Sequence, residues 1–169
     1  MDTEHDVVAL ILQDHRTMED LFRRMRSVEE DRAAALREFA GLLIAHADAE
    51  ETEVYPALRR FRNIDDDEVE HGEEEHDEGN EALLDLLETG LEAGDVGSAA
   101  WDEKLENLVE AVNHHLDEEE RTILNGAREN VPAERRAELG VAFREERARQ
   151  LAADCGRIEN VRERVKNRR

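Results

Sequence analysis

The chain has 169 residues, a net charge of −22 and 40% charged residues, with only 4% aromatic residues and two prolines. That length sets a single-domain prior, and the composition suits a small, highly helical protein better than a sheet protein. The negative charge excludes nucleic acids and anionic membranes as partners, because both would repel it.

The charge is uneven. Residues 126–169 carry 12 Lys+Arg against 8 Asp+Glu, a net of +4, which leaves −26 for residues 1–125. Cys155 is the sole cysteine, so neither an internal disulfide nor a thiolate metal cluster can form, and a reducing, cytoplasmic setting is expected. The first six residues, Met1 to Asp6, lack the basic stretch and apolar core of a secretory leader, and no apolar run approaches the length of a membrane span.

Four amphipathic segments follow in order. The first covers roughly residues 4–27, with Val8, Ile11, His15, Met18, Phe22 and Met25 on one helical stripe. The second covers roughly 31–62, with Phe39, Leu43, His46, Glu50, Val54 and Ala57 in line, and a kink is expected at Pro56. The third covers roughly 68–93, with Val69, Glu73, His76, Asn80, Leu83 or Leu84, and Leu87. Gly72 and Gly79 weaken its first half, and Gly90, Gly94 and Gly97 mark the break after it. Ser98 suits the N-cap of the fourth segment, which runs to about 126 with Leu105, Leu108, Val112, His115, Glu119 and Ile123 on its stripe.

Four such segments with short connections predict an all-α fold, an antiparallel up-down four-helix bundle over residues 1–126. Residues 127–169 form a C-terminal helical extension opened by Pro132, in which Leu139, Phe143 and Leu151 are placed to pack on the bundle. The basic tail from Arg157 to Arg169 is expected as a solvated helical extension that docks on the acidic bundle or frays.

Each stripe carries a histidine near its middle. Two of them add a glutamate four residues later, His46 with Glu50 and His115 with Glu119, which places imidazole and carboxylate side by side. Burying four imidazoles and two carboxylates without partners would cost several kcal/mol per charged group. A metal removes that cost, because it binds neutral imidazole and ionised carboxylate directly. Carboxylates can bridge two ions and imidazoles can cap each, and mixed nitrogen and oxygen donors suit iron, then manganese, then zinc. Of the remaining histidines, His5 and His71 fall off the stripes and read as exposed, and His114 yields the inward place to His115. Glu51, Glu118 and Glu120 read as solvated, and Tyr55 either stands near the site as a hydrogen-bond donor or packs under Pro56, the favoured reading.

Asp14-His15, His46-x-x-x-Glu50-Glu51 leading to Tyr55-Pro56, Glu75-His76, and His115-x-x-x-Glu119-Glu120 together are similar to the hemerythrin, or HHE cation-binding, family. The resemblance covers residues from about 5 to 126, and the stretch from Pro132 to Glu146 resembles the extension of bacterial hemerythrin-like proteins. It implies a non-haem di-iron centre with two Fe ions, His15, His46, His76 and His115 as terminal ligands, and Glu50 and Glu119 as bridges. The third segment departs from the oxygen carriers, which have two histidines one turn apart there. Here the positions either side of His76 are Gly72 and Asn80, and Glu73 is a possible replacement ligand. Fewer nitrogens leave open positions, which argues against simple oxygen carriage and for reaction with peroxide, dioxygen or nitric oxide. The expected function is peroxide disproportionation in oxidative-stress defence. The alternative is a module that binds or senses oxygen, nitric oxide or iron without turnover. A metal-free structural bundle would leave the histidine in every stripe without a purpose.

Overall fold

The structure is a computed structural model that describes residues 5–167. Glu4 of the first expected segment and Arg168 and Arg169 of the tail lie outside the described residues, as does most of the N-terminal stretch read for a leader. The described residues are helical throughout, with no strand.

Helix α1 spans Val7–Arg26, and its first turn is closed by Asp6, whose carboxylate accepts from the Val8 amide at 2.8 Å. Asp31 does the same for α2 (Arg32–Ala49) through the Ala34 amide at 3.0 Å. The helix then widens into a π-helical turn, Glu50–Val54, before the short α3, Tyr55–Leu58. The distortion expected at Pro56 thus falls just before it. A proline cannot donate to the carbonyl four residues back and crowds that turn. The π turn absorbs the conflict, and the Tyr55 amide bonds to the Glu50 carbonyl.

Helix α4 spans Asp66–Leu87, starts at Asp65 and runs on through a π-helical turn at Glu88–Glu92. Gly72 and Gly79 do not interrupt it. Both are buried, and a Cβ on Gly79 would stand 3.8 Å from Val112 of the next long helix. Gly90 lies within the π turn, so the chain reverses only at Gly94 and Gly97, with φ of 74° and 82°. Ser98 caps α5 (Ala99–Arg121) through the Trp101 amide at 3.1 Å. The expected fourth segment is broken at Thr122, where α6 (Ile123–Asn130) begins. There the Thr122 hydroxyl donates to the Glu118 carbonyl at 2.7 Å, drawing that acceptor out of line.

Helices α1 and α2 pack together, as do α4 and α5. The interior has two apolar clusters. Val7, Ile11, Ala49, Val54, Val69 and Ile123 belong to one, and Met18, Phe22, Phe39, Ile44, Leu83 and Leu108 to the other. Along α1 and α4 the chain passes from the first cluster to the second, and along α2, and from α5 into α6, it passes back. His15, His46, His76 and His115 are buried where the clusters meet, so the expected stripes are the buried faces.

The extension is part of this interior. Helix α7 (Ala133–Ala152) lies across α1 and α2 and inserts Leu139 and Phe143 into the first cluster. Leu151 does not join them and is 46% exposed. Helix α8 (Ile158–Lys166) packs on α4 and adds Val161 to the second cluster, beside Cys155. The tail up to Lys166 therefore docks rather than staying solvated. Arg164 reaches Asp48 at 2.6 Å and Arg162 reaches Glu92 at 2.6 Å, so acidic bundle and basic tail neutralise each other locally.

Candidate metal centre

The polar layer brings together His15 from α1, His46 from α2, Glu50 at the start of the π turn, His76 from α4, and His115 and Glu119 from α5. All six are buried; the most exposed, His115, is 6% exposed. Glu50 Oε1 stands 3.2 Å from His46 Nε2 and 3.1 Å from His76 Nε2. Glu119 Oε1 stands 3.1 Å from His15 Nε2, and its Oε2 is 3.9 Å from His115 Nε2. Each glutamate thus meets histidines from both helix pairs. Donor atoms of Glu50, His76, His115 and Glu119 lie within 4.8 Å of one another, as do those of His15, His46 and Glu119.

The far side of each imidazole is also occupied. His46 Nδ1–H donates to Asp14 at 2.7 Å, His15 to Glu120 at 2.9 Å, His76 to Glu51 at 2.9 Å, and His115 to Glu75 at 3.0 Å. Four carboxylate acceptors select the tautomer protonated at Nδ1, which turns every Nε2 lone pair inward. The pattern repeats. In each half the acidic residue preceding one histidine holds the histidine of the neighbouring helix, Asp14 to His46 and Glu75 to His115. The second glutamate of each Glu-Glu pair crosses to the other half, Glu51 to His76 and Glu120 to His15. Glu51 and Glu120 are therefore not solvated as expected. One position along a helix is a rotation of about 100°, which points them at the adjoining helix rather than at water.

Several inward atoms have no hydrogen-bond partner: Nε2 of His15, His46 and His115, Oε2 of Glu50 and Oε1 of Glu119. Their close contacts lack hydrogen-bond geometry, and unsatisfied buried groups are costly. Burial alone would lower the His46 pKa, but Glu50 and Asp14 outweigh it and hold the imidazole at about 10. His76 is likewise raised, against its burial, by Glu50 and Glu51. Glu50, which burial would raise, is held well below the usual carboxylate range, chiefly by His46. Divalent cations would replace those protons, and four imidazole nitrogens with two carboxylates fit a pair of them.

Tyr55 also belongs to the site. Its hydroxyl donates to Glu119 Oε2, and its ring stacks parallel to His76 with centroids 5.8 Å apart. Burial, with the Glu119 and Glu50 carboxylates beside it, raises its pKa well above the ordinary phenol value and keeps the proton on. Packing under Pro56 therefore does not describe it. Glu73 turns the other way, to Arg59 at 2.6 Å, and is not among the gathered donors. Of the outlying histidines, His71 and His114 are exposed, while His5 is half-buried.

The two sides of the centre differ. On the α1–α2 side Phe143 of α7 meets the His46 ring edge-on at 5.4 Å, and Arg147 bonds to Asp14 while lying over Phe143. On the α4–α5 side a cavity of about 40 Å³ is bounded by Gly72, His115 and Glu119 and also by His71, Glu75 and Glu118. A Cβ on Gly72 would lie 3.3 Å from the Tyr55 hydroxyl oxygen and 3.6 Å from His115 Cε1, so the missing side chain creates the room.

The family model described as "Hemerythrin HHE cation binding domain" matches residues 6–126. No curated protein and no solved structure matches the chain.

Proposed function

The chain belongs to the hemerythrin HHE cation-binding family, and on that premise we propose that it is a di-iron protein that disproportionates hydrogen peroxide in defence against oxidative stress. In this reading residues 1–126 form the up-down antiparallel bundle, a topology supported by the alternating passage of successive long helices between the two apolar clusters. Residues 127–169 form the C-terminal extension, whose α7 covers the α1–α2 side. His15, His46, His76 and His115, with Glu50 and Glu119, would hold the pair of ions, and the contacts of each glutamate to both helix pairs support a shared role for the two carboxylates. Iron is preferred to manganese or zinc for this donor set. A cytoplasmic setting is part of the same reading, and a buried, unpaired Cys155 asks for no oxidising compartment. Among the described residues no helix is long and apolar enough to cross a membrane.

The observation that carries the peroxide reading is the cavity at Gly72. On the measure by which a single water needs about 10–15 Å³, its 40 Å³ has room for a ligand of two heavy atoms. Iron held here would supply a Lewis-acidic pair able to exchange two electrons with an oxygen–oxygen bond. The chain's own residues do the rest. Tyr55 keeps its proton, donates it to Glu119, and presents its hydroxyl oxygen beside Gly72, where it can accept a hydrogen bond from a ligand. Glu75 and Glu51 hold His115 and His76 in position through their Nδ1–H bonds. Phe143 and Arg147 close the opposite side to water. One peroxide would be reduced to two waters while a second is oxidised to dioxygen, so no outside reductant is needed.

Metal analysis with a visible spectrum and oxygen evolution from peroxide tests this. About two irons per chain and oxygen release well above that of free iron are expected. Iron with ligand binding but no turnover would assign a binding or sensing module instead, and absence of metal would overturn the reading.

A further inference from the structure

A second set of His and Glu side chains lies outside the buried centre. His71 and Glu75 stand four apart on α4, and His114 and Glu118 four apart on α5, the same spacing that builds the inner pairs. The two helices pack against each other, and the four side chains converge at their surface. His71 Nε2 is 3.5 Å from Glu75 Oε2 and 3.2 Å from Glu118 Oε2. His114 Nε2 is 3.1 Å from Glu75 Oε2 and 3.3 Å from Glu118 Oε2. Each residue thus offers one donor atom, and all four lie within 4.8 Å of one another.

Two further features separate this cluster from ordinary surface ion pairs. Glu75 is only 4% exposed, yet its Oε2 has no hydrogen-bond partner and is aimed into the cluster; Glu118 Oε2 is also unpartnered. The distances also suit one small ion. Zinc bonds of about 2.0 Å to nitrogen and oxygen put neighbouring ligand atoms about 3 Å apart. The four His–Glu separations, 3.1–3.5 Å, lie in that range.

We propose that His71, Glu75, His114 and Glu118 form a second site for one zinc-like divalent ion on the α4–α5 surface, bordering the Gly72 cavity that His71, Glu75 and Glu118 also line. The site shares Glu75 with the inner layer. Its Oε1 accepts from His115 Nδ1 at 3.0 Å while its Oε2 faces outward, so one carboxylate touches both. An ion on Oε2 withdraws electron density from the acceptor that orients His115, and outer occupancy is thereby transmitted to the inner imidazole.

The full chain, loaded with iron and freed of loose metal, is titrated with zinc, and bound zinc and iron are counted. The His71→Ala/His114→Ala protein is the comparison; both side chains are more than half exposed, at 53% and 61%, so their loss leaves the packing intact. The expected result is one zinc per chain more in the parent than in the variant, with equal iron. Cobalt in place of zinc should give intense tetrahedral visible bands in the parent that the variant lacks. A difference of one ion supports the site whether or not the inner centre holds iron, which keeps it distinct from the di-iron reading. Equal zinc content and superimposable cobalt spectra overturn it.

Discussion

Tyr55 donates its phenolic hydrogen to Glu119, a residue 64 positions away on another helix, at the point where Glu119 faces both halves of the polar layer. In Tyr55→Phe the ring still stacks on His76, so iron content is expected to stay at the parental level. Peroxide turnover should fall by about 10²-fold, the usual scale for losing a positioned proton donor. Oxygen evolution normalised to bound iron is the measurement, and parental turnover in this variant would remove Tyr55 from the reaction.

Glu51 and Glu120 were read as solvated, and their bonds to His76 and His15 make alanine at either position costly. Each substitution leaves a metal-facing imidazole without the acceptor that fixes its tautomer. Losing such a partner typically costs about 10–100-fold in metal affinity. Chelator competition should show both variants releasing iron at lower chelator concentration than the parent, and Glu50→Ala and Glu119→Ala losing it outright. Parental retention in Glu51→Ala would show that the Nδ1 bond does not set affinity.

Much of this was legible in the sequence because the buried stripes keep a 3.6-residue period through His15, His46, His76 and His115. Glu51 and Glu120, read as solvated, and Asp14 and Glu75, given no role, stand beside a stripe rather than on it. Each adjoins a stripe residue, and its destination depends on how the next helix packs. The repeated acidic-His and Glu-Glu pairs were the available signal. Packing was favoured over a bond to the site for Tyr55 for another reason. Five residues span about 140° beyond a full turn in an ideal helix, whereas the π turn bonds residue 55 back to residue 50 and brings both to one face. Gly72 read only as weak helix propensity, because a glycine's contribution here is the space it leaves.

Metal removal should expose the charge problem of the polar layer. Glu50 and Asp14 outweigh burial and hold His46 at about 10. A raised folded-state pKa stabilises the fold fully below the unfolded value, near 6.5, and that contribution is lost as pH rises through the folded value. The metal-free protein should therefore melt several degrees below the loaded one at neutral pH. Its Tm should decline further between about pH 7 and pH 10. Metal uptake near neutral pH should also release protons from His46 and His76, measurable with an indicator in weak buffer. Uptake without proton release would contradict the electrostatics of the layer.

Arg147 ties the extension to the centre by bonding Asp14, whose other oxygen accepts from His46. Both partners are largely buried, with side-chain exposures of 17% and 7%. Arg147→Ala also strips the guanidinium from the Phe143 ring. A lost hydrogen bond to a charged group costs about 2 kcal/mol, which for a chain of this length lowers Tm by about 4–8 °C. Thermal denaturation of the loaded protein checks this, and an unchanged Tm would show that α7 docks through Leu139 and Phe143 alone.

Gly72 gives the sharpest test of the peroxide reading, because stability and reactivity should respond to it in opposite ways. A Cβ there meets Tyr55 at 3.3 Å, Ile123 at 3.4 Å and His115 at 3.6 Å, which is tight but requires only small adjustments. Within the continuous α4, exchanging glycine for alanine gains up to about 1 kcal/mol in helix propensity. Gly72→Ala should therefore hold its iron and melt no lower than the parent by more than a degree or two. The same methyl projects into the 40 Å³ cavity and takes much of the room a two-atom ligand would need. Peroxide turnover should fall at least tenfold, and Gly72→Val should abolish it, because the added methyls leave no comparable space. Azide, a small anionic probe for open iron positions, should lose affinity in the same order. If both variants turn over peroxide and bind azide like the parent while retaining iron, small molecules reach the centre by another route. The assignment of the reactive position to the α4–α5 side would then be withdrawn.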